Sequence, residues 1–269
     1  MDLKLDGKTA LVTGSSRGIG KAIALGLARE KAVVVVHGRD RARTEQVARE
    51  IIARGGRAHA VFGDLTRDDD VRHLVENAQA LAGRIDILVN NSGGSSGSED
   101  WTNTRSETWA SAYDRNVLAA VRVATRLLPA MREAKWGRVV NISSLAGLMP
   151  PAERPDYSAC KAAMNAMTAS MAKAVAADGV TVNTVSPGTI HSDSLDARFR
   201  EVAAEEGLAG DAPWEAIERT VLPRFAQVPM GRVGTLEEIA DVIAFLVSPK
   251  AAYITGVNLR LDGGLLPTI

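Results

Sequence analysis

The chain is poor in several features, and each shortage excludes a class of protein. A single cysteine, Cys160, in 269 residues permits no internal disulfide. A reducing cytoplasm is therefore the expected compartment. Net charge is absent, because 32 Lys and Arg balance 32 Asp and Glu. No global field is available to hold nucleic acid or an anionic membrane. No apolar run approaches the roughly 20 residues needed to cross a bilayer; Ala32 to Val36 stops at His37. The opening residues alternate charge with single leucines and lack the apolar stretch of a secretory leader. Four histidines, His37, His59, His73 and His191, lack metal-ligand spacing, so no metal is expected.

Short β-branched runs alternate with longer Ala-, Leu- and Arg-rich stretches, the pattern of βαβ units around a parallel sheet. Strands are expected at 9–13, 33–37, 58–62, 85–90, 138–142, 181–185 and 258–261. Helices are expected at 21–29, 41–54, 68–82, 107–132, 158–177 and 236–247. Val33 to Val36 has no polar alternation, as a strand covered on both faces requires. Capping boxes are read at Thr104…Glu107 and Thr235…Glu238. No repeat or Pro/Gly-rich linker divides the chain, so residues 1–269 are expected to form one α/β, doubly wound, Rossmann-like domain. Residues 189–228 break the alternation and read as a lid or substrate wall.

Thr13-Gly14-Ser15-Ser16-Arg17-Gly18-Ile19-Gly20 follows an apolar strand and opens an Ala-rich helix. Residues without a Cβ there let backbone amides and a helix N-terminus approach a pyrophosphate. The spacing G-x-x-x-G-x-G departs from the usual G-x-G-x-x-G. Near the end of the second strand, where an acid would bind the ribose of NAD, stands Arg39. With Arg17 it could clamp a 2′-phosphate, favouring NADP(H), with NAD(H) as the alternative. The neighbouring Asp40 reads as a helix N-cap, or else faces the ribose.

Tyr157 and Lys161, four residues apart at a helix start, share one face. A tyrosine acid/base poised near neutral pH needs roughly 4 kcal/mol of help from positive charge. Lys161 and an oxidised nicotinamide are the expected sources. Ser143 and Ser144 end a strand, where a hydroxyl can hold a substrate carbonyl oxygen. Cys160 reads as a small buried hydrophobe.

Together these motifs resemble the short-chain dehydrogenase/reductase family over nearly the whole chain. The resemblance rests on Gly14…Gly18-Ile19-Gly20, Asp64-Leu65, Asn90-Asn91-Ser92-Gly93, Asn116, Ser144, Tyr157/Lys161, Pro187-Gly188 and Asp262-Gly263-Gly264. It implies Tyr157 as general acid/base, Lys161 as its pKa modulator and ribose ligand, Ser144 rather than Ser143 on the substrate oxygen, and Asn116 supporting a water relay. Gly14, Ser16, Arg17, Gly18, Ile19, Gly20, Arg39, Asp64, Leu65, Asn91, Gly93, Tyr157, Lys161, Pro187, Gly188, Ile190 and Ser192 are the implied cofactor contacts. Asp64 is assigned to the adenine, Asn91 to the adenosine ribose, Ile190 to the carboxamide and Ser192 to the pyrophosphate. Ser92 stands where the family usually has Ala, and Ser192 where Thr is common.

The expected activity is hydride transfer between NADP(H) and a small carbonyl or secondary alcohol, as in a carbonyl reductase or a 3-oxoacyl reductase. An NAD-dependent alcohol, polyol or steroid dehydrogenase is one alternative, and a non-catalytic NADP(H)-binding sensor another. A carrier-protein substrate is disfavoured, since residues 189–228 carry eight acidic residues against four arginines. The long helices, full of small residues, and the apolar tail Leu265 to Ile269 are expected to form homodimer or homotetramer interfaces.

Overall fold

The computed structural model describes residues 1–95 and 100–267. Seven strands form one parallel sheet, β1 (Thr9–Val12), β2 (Val33–Gly38), β3 (Arg57–Phe62), β4 (Ile87–Asn90), β5 (Gly137–Ile142), β6 (Val180–Pro187) and β7 (Asn258–Leu261). Their order is β3-β2-β1-β4-β5-β6-β7. The chain runs outward from β1 to β3 and then returns to pair β4 with the other side of β1. That reversal leaves a crevice beyond the carboxyl ends of β1 and β4, the place where doubly wound sheets bind ligands.

Helices α1 (Gly18–Arg29), α2 (Arg41–Ala53), α3 (Asp68–Ala82), α4 (Ser106–Tyr113), α5 (Ala119–Glu133), α6 (Pro155–Val175) and α9 (Leu236–Leu246) cover the sheet. The valine run explains the two layers, because alternate side chains leave opposite faces of a strand. Val34 and Val36 join the core with Ile23, Leu27 and Ile243, while Val35 joins Leu74, Leu127 and Val182 on the other face. Residues 189–228, read as patternless, fold into α7 (Asp193–Glu205) and α8 (Trp214–Phe225). These close on a small core of their own around Phe199, Ile217 and Val221.

Two helix expectations need correction. The helix read as 107–132 is interrupted by a π-helical turn, Asp114–Leu118, between α4 and α5. The Thr104…Glu107 capping box does not form: α4 starts at Ser106, and Thr104 Oγ1 instead donates to the Asp100 carbonyl. Asp100 also accepts from the backbone of Thr102 and Asn103, a local turn that competes with the helix for this segment. The second box, Thr235 with Glu238, is present. Among the described residues no helix is long and apolar enough to span a membrane. Of the apolar tail, Thr268 and Ile269 lie outside the described residues, while Leu265 and Leu266 are half-buried.

Candidate active site

The glycine turn is built by exclusion. Gly14 has φ +63°, and a Cβ on it would sit 2.9 Å from Ser92 Cα. A Cβ on Gly20 would lie 2.4 Å from both the Gly14 carbonyl and the Asn91 amide. Those contacts bring the ends of β1 and β4 together. The Asn91 amide donates to the carbonyls of Thr13 (2.9 Å) and Gly14 (3.0 Å), and the Thr13 hydroxyl accepts from the amides of Asn91 and Ser92. Asn91, assigned from the resemblance to the ribose, thus spends its amide group on the turn itself. Arg17 is the N-cap of α1 but supplies no side-chain cap. The first-turn amides from Gly18 onward therefore keep their donors for another acceptor. Together with the positive end of the helix they suit a pyrophosphate.

The rim of the crevice comes from β2. Gly38 packs on Ser16, whose Oγ would lie 3.1 Å from an added Cβ. Arg39, just beyond, has its side chain 76% exposed and 3.9 Å from the Asp64 carboxylate. Arg17 is also exposed, so both guanidinium groups are free to turn toward an added anion. Asp40 is the cap of α2, accepting from Arg43 N at 3.1 Å, as its first reading expected. Asp64 accepts from the backbone and hydroxyl of Thr66, which hold its carboxyl below the usual range, and Leu65 is buried behind it.

The candidate catalytic residues lie at the termini of β5 and β6 and the start of α6. Ser143 is buried, and its hydroxyl donates to the Lys161 carbonyl at 3.0 Å. The half-buried Ser144 hydroxyl instead meets the Tyr157 phenol. Burial raises the phenol above its ordinary pKa, while the Ser144 hydrogen bond and the charge of Arg154 oppose that. Lys161 is buried, which pulls its ammonium down to about 8. It donates to the Ile142 carbonyl at 2.8 Å and stands 5.5 Å from the centre of the Tyr157 ring. Asn116 sits in the π-helical turn, fully buried, gripping Gly94 through both its amide donor and its carbonyl and donating also to Ala112 O. A Cβ on Gly93 would strike the Asn116 carbonyl oxygen at 2.5 Å. The turn so fixes the strand end beside the site, as π-turns often do at functional positions.

Gly188 lies against Asp262, Ile190 is buried, and Ser192 caps α7 while still facing the crevice. Cys160 packs with Val117 and Met164, and burial pushes its thiol up to about 11. Among the described residues no cluster of His, Cys, Asp and Glu could hold a metal. Sequence reasoning missed His37, which accepts from Gly14 N through Nδ1 at 3.1 Å. Its position at a strand end, directly before Gly38, was the available signal.

A cleft of about 540 Å³ joins the glycine turn to Tyr157 and Lys161, lined also by Gly93, Ile190 and Ser192, while Arg39 and Asp64 lie outside its lining. A groove of similar volume between α1, α2 and α9 touches Gly18 but holds none of the candidate catalytic residues, so chemistry is assigned to the former.

A family model for short chain dehydrogenases matches residues 8–203. The 3-oxoacyl-[acyl-carrier-protein] reductase FabG of Pseudomonas aeruginosa is 35% identical over 263 residues, covering 98% of this chain and 99% of its own. The reductase of the same name from Vibrio cholerae is 36% identical with the same coverage. Among solved structures, L-sorbose reductase from Gluconobacter frateurii, complexed with NADPH and L-sorbose, superposes with TM-score 0.92 at 34% identity, covering 100% of both chains. With the glycine turn, the Ser144–Tyr157–Lys161 grouping and the sheet order in place, the chain belongs to the short-chain dehydrogenase family of oxidoreductases, which act between CH–OH and C=O groups.

Proposed function

We propose that the protein is an NADP(H)-dependent reductase of a small carbonyl compound. The observation that carries this reading is the cleft that runs from the uncapped start of α1 to Tyr157. NADPH bound there would supply the hydride that reaches the carbonyl carbon. Arg17 and Arg39 select the 2′-phosphate, and the α1 amides hold the pyrophosphate. Ser144 orients the carbonyl oxygen, Tyr157 gives that oxygen its proton, and Lys161 favours the resulting phenolate by its charge. Asn116 holds the backbone around Gly93 and Gly94 in the shape the cleft needs. Residues 189–228 shape the substrate side, within one dinucleotide-binding domain.

The relatives named as carrier-protein reductases raise a second reading, a 3-oxoacyl thioester on an acidic carrier. The cations that would greet such a partner are already engaged. Lys135 and Arg132 both pair with Asp178 at 2.6 Å, and Arg138 is buried, donating to the Gly137 and Gly179 carbonyls. A free ketone or ketose, of the kind the L-sorbose reductase is named for, fits better. Titrating the purified protein with NADPH and NADH, then following NADPH oxidation with ketoses, simple ketones, a 3-oxoacyl thioester and its carrier-protein form, tests both parts. The expected result is tighter NADPH binding and turnover of a free carbonyl. Preference for NADH, or turnover of the carrier-bound thioester alone, overturns it. Arg39→Asp should weaken NADPH binding relative to NADH by roughly ten- to a hundredfold, the worth of charge-assisted hydrogen bonds.

A further inference from the structure

His37 stands outside the roles assigned so far, yet it is more tightly bound into the glycine turn than any other residue of β2. It is 2% exposed and sits where β1, β2 and β3 end together. Four hydrogen bonds converge on it. Its backbone N–H donates to Ser15 Oγ at 3.0 Å, and its carbonyl accepts from Ser15 N at 2.8 Å. In the ring, Nδ1 lies 3.1 Å from Gly14 N and Nε2 lies 3.1 Å from the Gly63 carbonyl. An amide can only donate and a carbonyl can only accept, so the ring is neutral, with its proton on Nε2. The imidazole thereby spans from the turn after β1 to the loop after β3.

The consequence lies at Gly14. Its N–H opens a turn at φ +63°, where the backbone has no steric preference of its own to hold it. With that donor taken sideways by His37, and the Gly14 carbonyl taken by Asn91, the peptide planes flanking Gly14 are fixed from both sides. The amides that follow, at the start of α1, are then aimed into the cleft before any ligand arrives. Such preorganisation raises affinity by removing an ordering cost from binding.

We propose that His37 is a positioning residue for the phosphate-binding turn, setting affinity for the dinucleotide through Gly14 without touching it. The inference rests on the cofactor reading given above and deepens it. Two partial variants divide the imidazole's contacts. His37→Asn can keep an acceptor near the Nδ1 position, toward Gly14, and loses the reach to Gly63. His37→Gln can keep a donor toward Gly63 and loses the Gly14 contact. His37→Leu loses both.

The measurement is the Kd for NADPH by fluorescence titration, with the KM and kcat split where a substrate is in hand, and thermal melting of each variant beside it. Expected is a Kd raised roughly three- to tenfold in His37→Gln, the worth of one net hydrogen bond. His37→Asn should recover most of the affinity, and kcat at saturating NADPH should stay within about twofold. His37→Leu can lose stability as well, so the comparison that decides is Asn against Gln at matched melting temperature. Equal NADPH affinity in the wild type and His37→Gln overturns the role, as does an equal loss in Asn and Gln, or a kcat that falls as far as the affinity. A wild-type protein that binds neither NADPH nor NADH sinks the cofactor reading itself, which is a different failure.

Discussion

The turn after β1 and the segment 189–228 line the same cleft, and they are held in place by different means. The turn is locked by hydrogen bonds between residues far apart in the chain, His37 with Gly14 and Asn91 with Thr13 and Gly14, and the neighbouring segment after β4 is held likewise by Asn116 on Gly94. Little of it rests on side-chain packing, and glycines are required because neighbouring backbones approach too closely for a Cβ. The helices of the segment 189–228 instead pack on a cluster apart from the two sheet cores, made of six of the segment's own buried apolar residues together with Val233. His191 stacks on Trp214 at 3.7 Å and reaches Asp196, tying the strand exit to α7 and α8. A hydrogen-bonded turn tolerates almost no change, whereas an apolar pair of helices can be repacked. The division suits an oxidoreductase whose cofactor is constant and whose substrate varies from one relative to another.

The sharpest test of that division is chemical. Tyr157→Phe removes the proposed proton donor, leaving the turn and the segment intact. It should lower kcat by roughly 10²- to 10⁴-fold with NADPH affinity changed far less, read by steady-state kinetics and titration. Near-normal turnover would remove Tyr157 from the chemistry. Phe199→Ala attacks the other region, emptying the centre of its core, where Phe199 is fully buried between Trp214 and Phe225. A loss of about 3–5 kcal/mol is the usual cost of such a truncation. KM for the carbonyl substrate should rise while the Kd for NADPH holds, and a parallel rise of both would show that the regions are not independent.

Acid separates the regions by another route. Burial is the largest influence on His37 and lowers its pKa from 6.5 to about 4. Asp64 and the Gly63 carbonyl pull the other way, and Arg39 adds to the lowering. The unfolded chain therefore takes up this proton before the folded one does. Stability falls as pH drops below 6.5 and stops falling on this account near 4, with a total of about 3 kcal/mol. Denaturant unfolding at pH 7 and pH 4.5 should show the loss in the wild type and a smaller one in His37→Asn. An equal loss in both would place the acid sensitivity elsewhere.

Much of this was legible in the sequence because it depends on local chemistry. Unbroken valines specified a strand covered on both faces, and the glycines marked a turn in which Gly14 and Gly20 have no room for side chains and Gly18 adopts a positive φ. Tyr157 and Lys161 were placed on one face by helix geometry alone. The π-helical turn at Asn116 shifts the apolar pattern by one position, but α4 before it is only 8 residues long, too short to display a phase of its own. Thr104 had the chemistry of a capping residue, yet Asp100 took its hydroxyl first. The helices of 189–228 were hidden because their apolar faces serve a small core and leave much polar surface. His37 leaves little signal in the sequence for a further reason: its partners are backbone groups of Gly14, Ser15 and Gly63 and the Ser15 hydroxyl, brought near only by the sheet.

The smallest expected effect bears on the boundary between the regions. Thr235 and Glu238 cap α9 reciprocally, at 3.1 and 2.8 Å, and Glu238 also pairs with Arg232 at 2.6 Å. On its far side α9 packs against α1, where Gly26 has no room for a Cβ beside Ala240. On its near side Val233 N donates to Glu218 of α8 at 2.7 Å. The cap is thus the point where the turn's helix and the substrate segment share a support. Thr235→Ala should cost about 1 kcal/mol and leave kcat unaltered, since it touches no reacting group. If the regions are joined there, denaturation followed by far-ultraviolet dichroism and by hydrogen exchange across the whole sheet will shift together. Faster exchange confined to residues 193–225 would instead assign the cap to the segment alone, and α9 would then be its hinge.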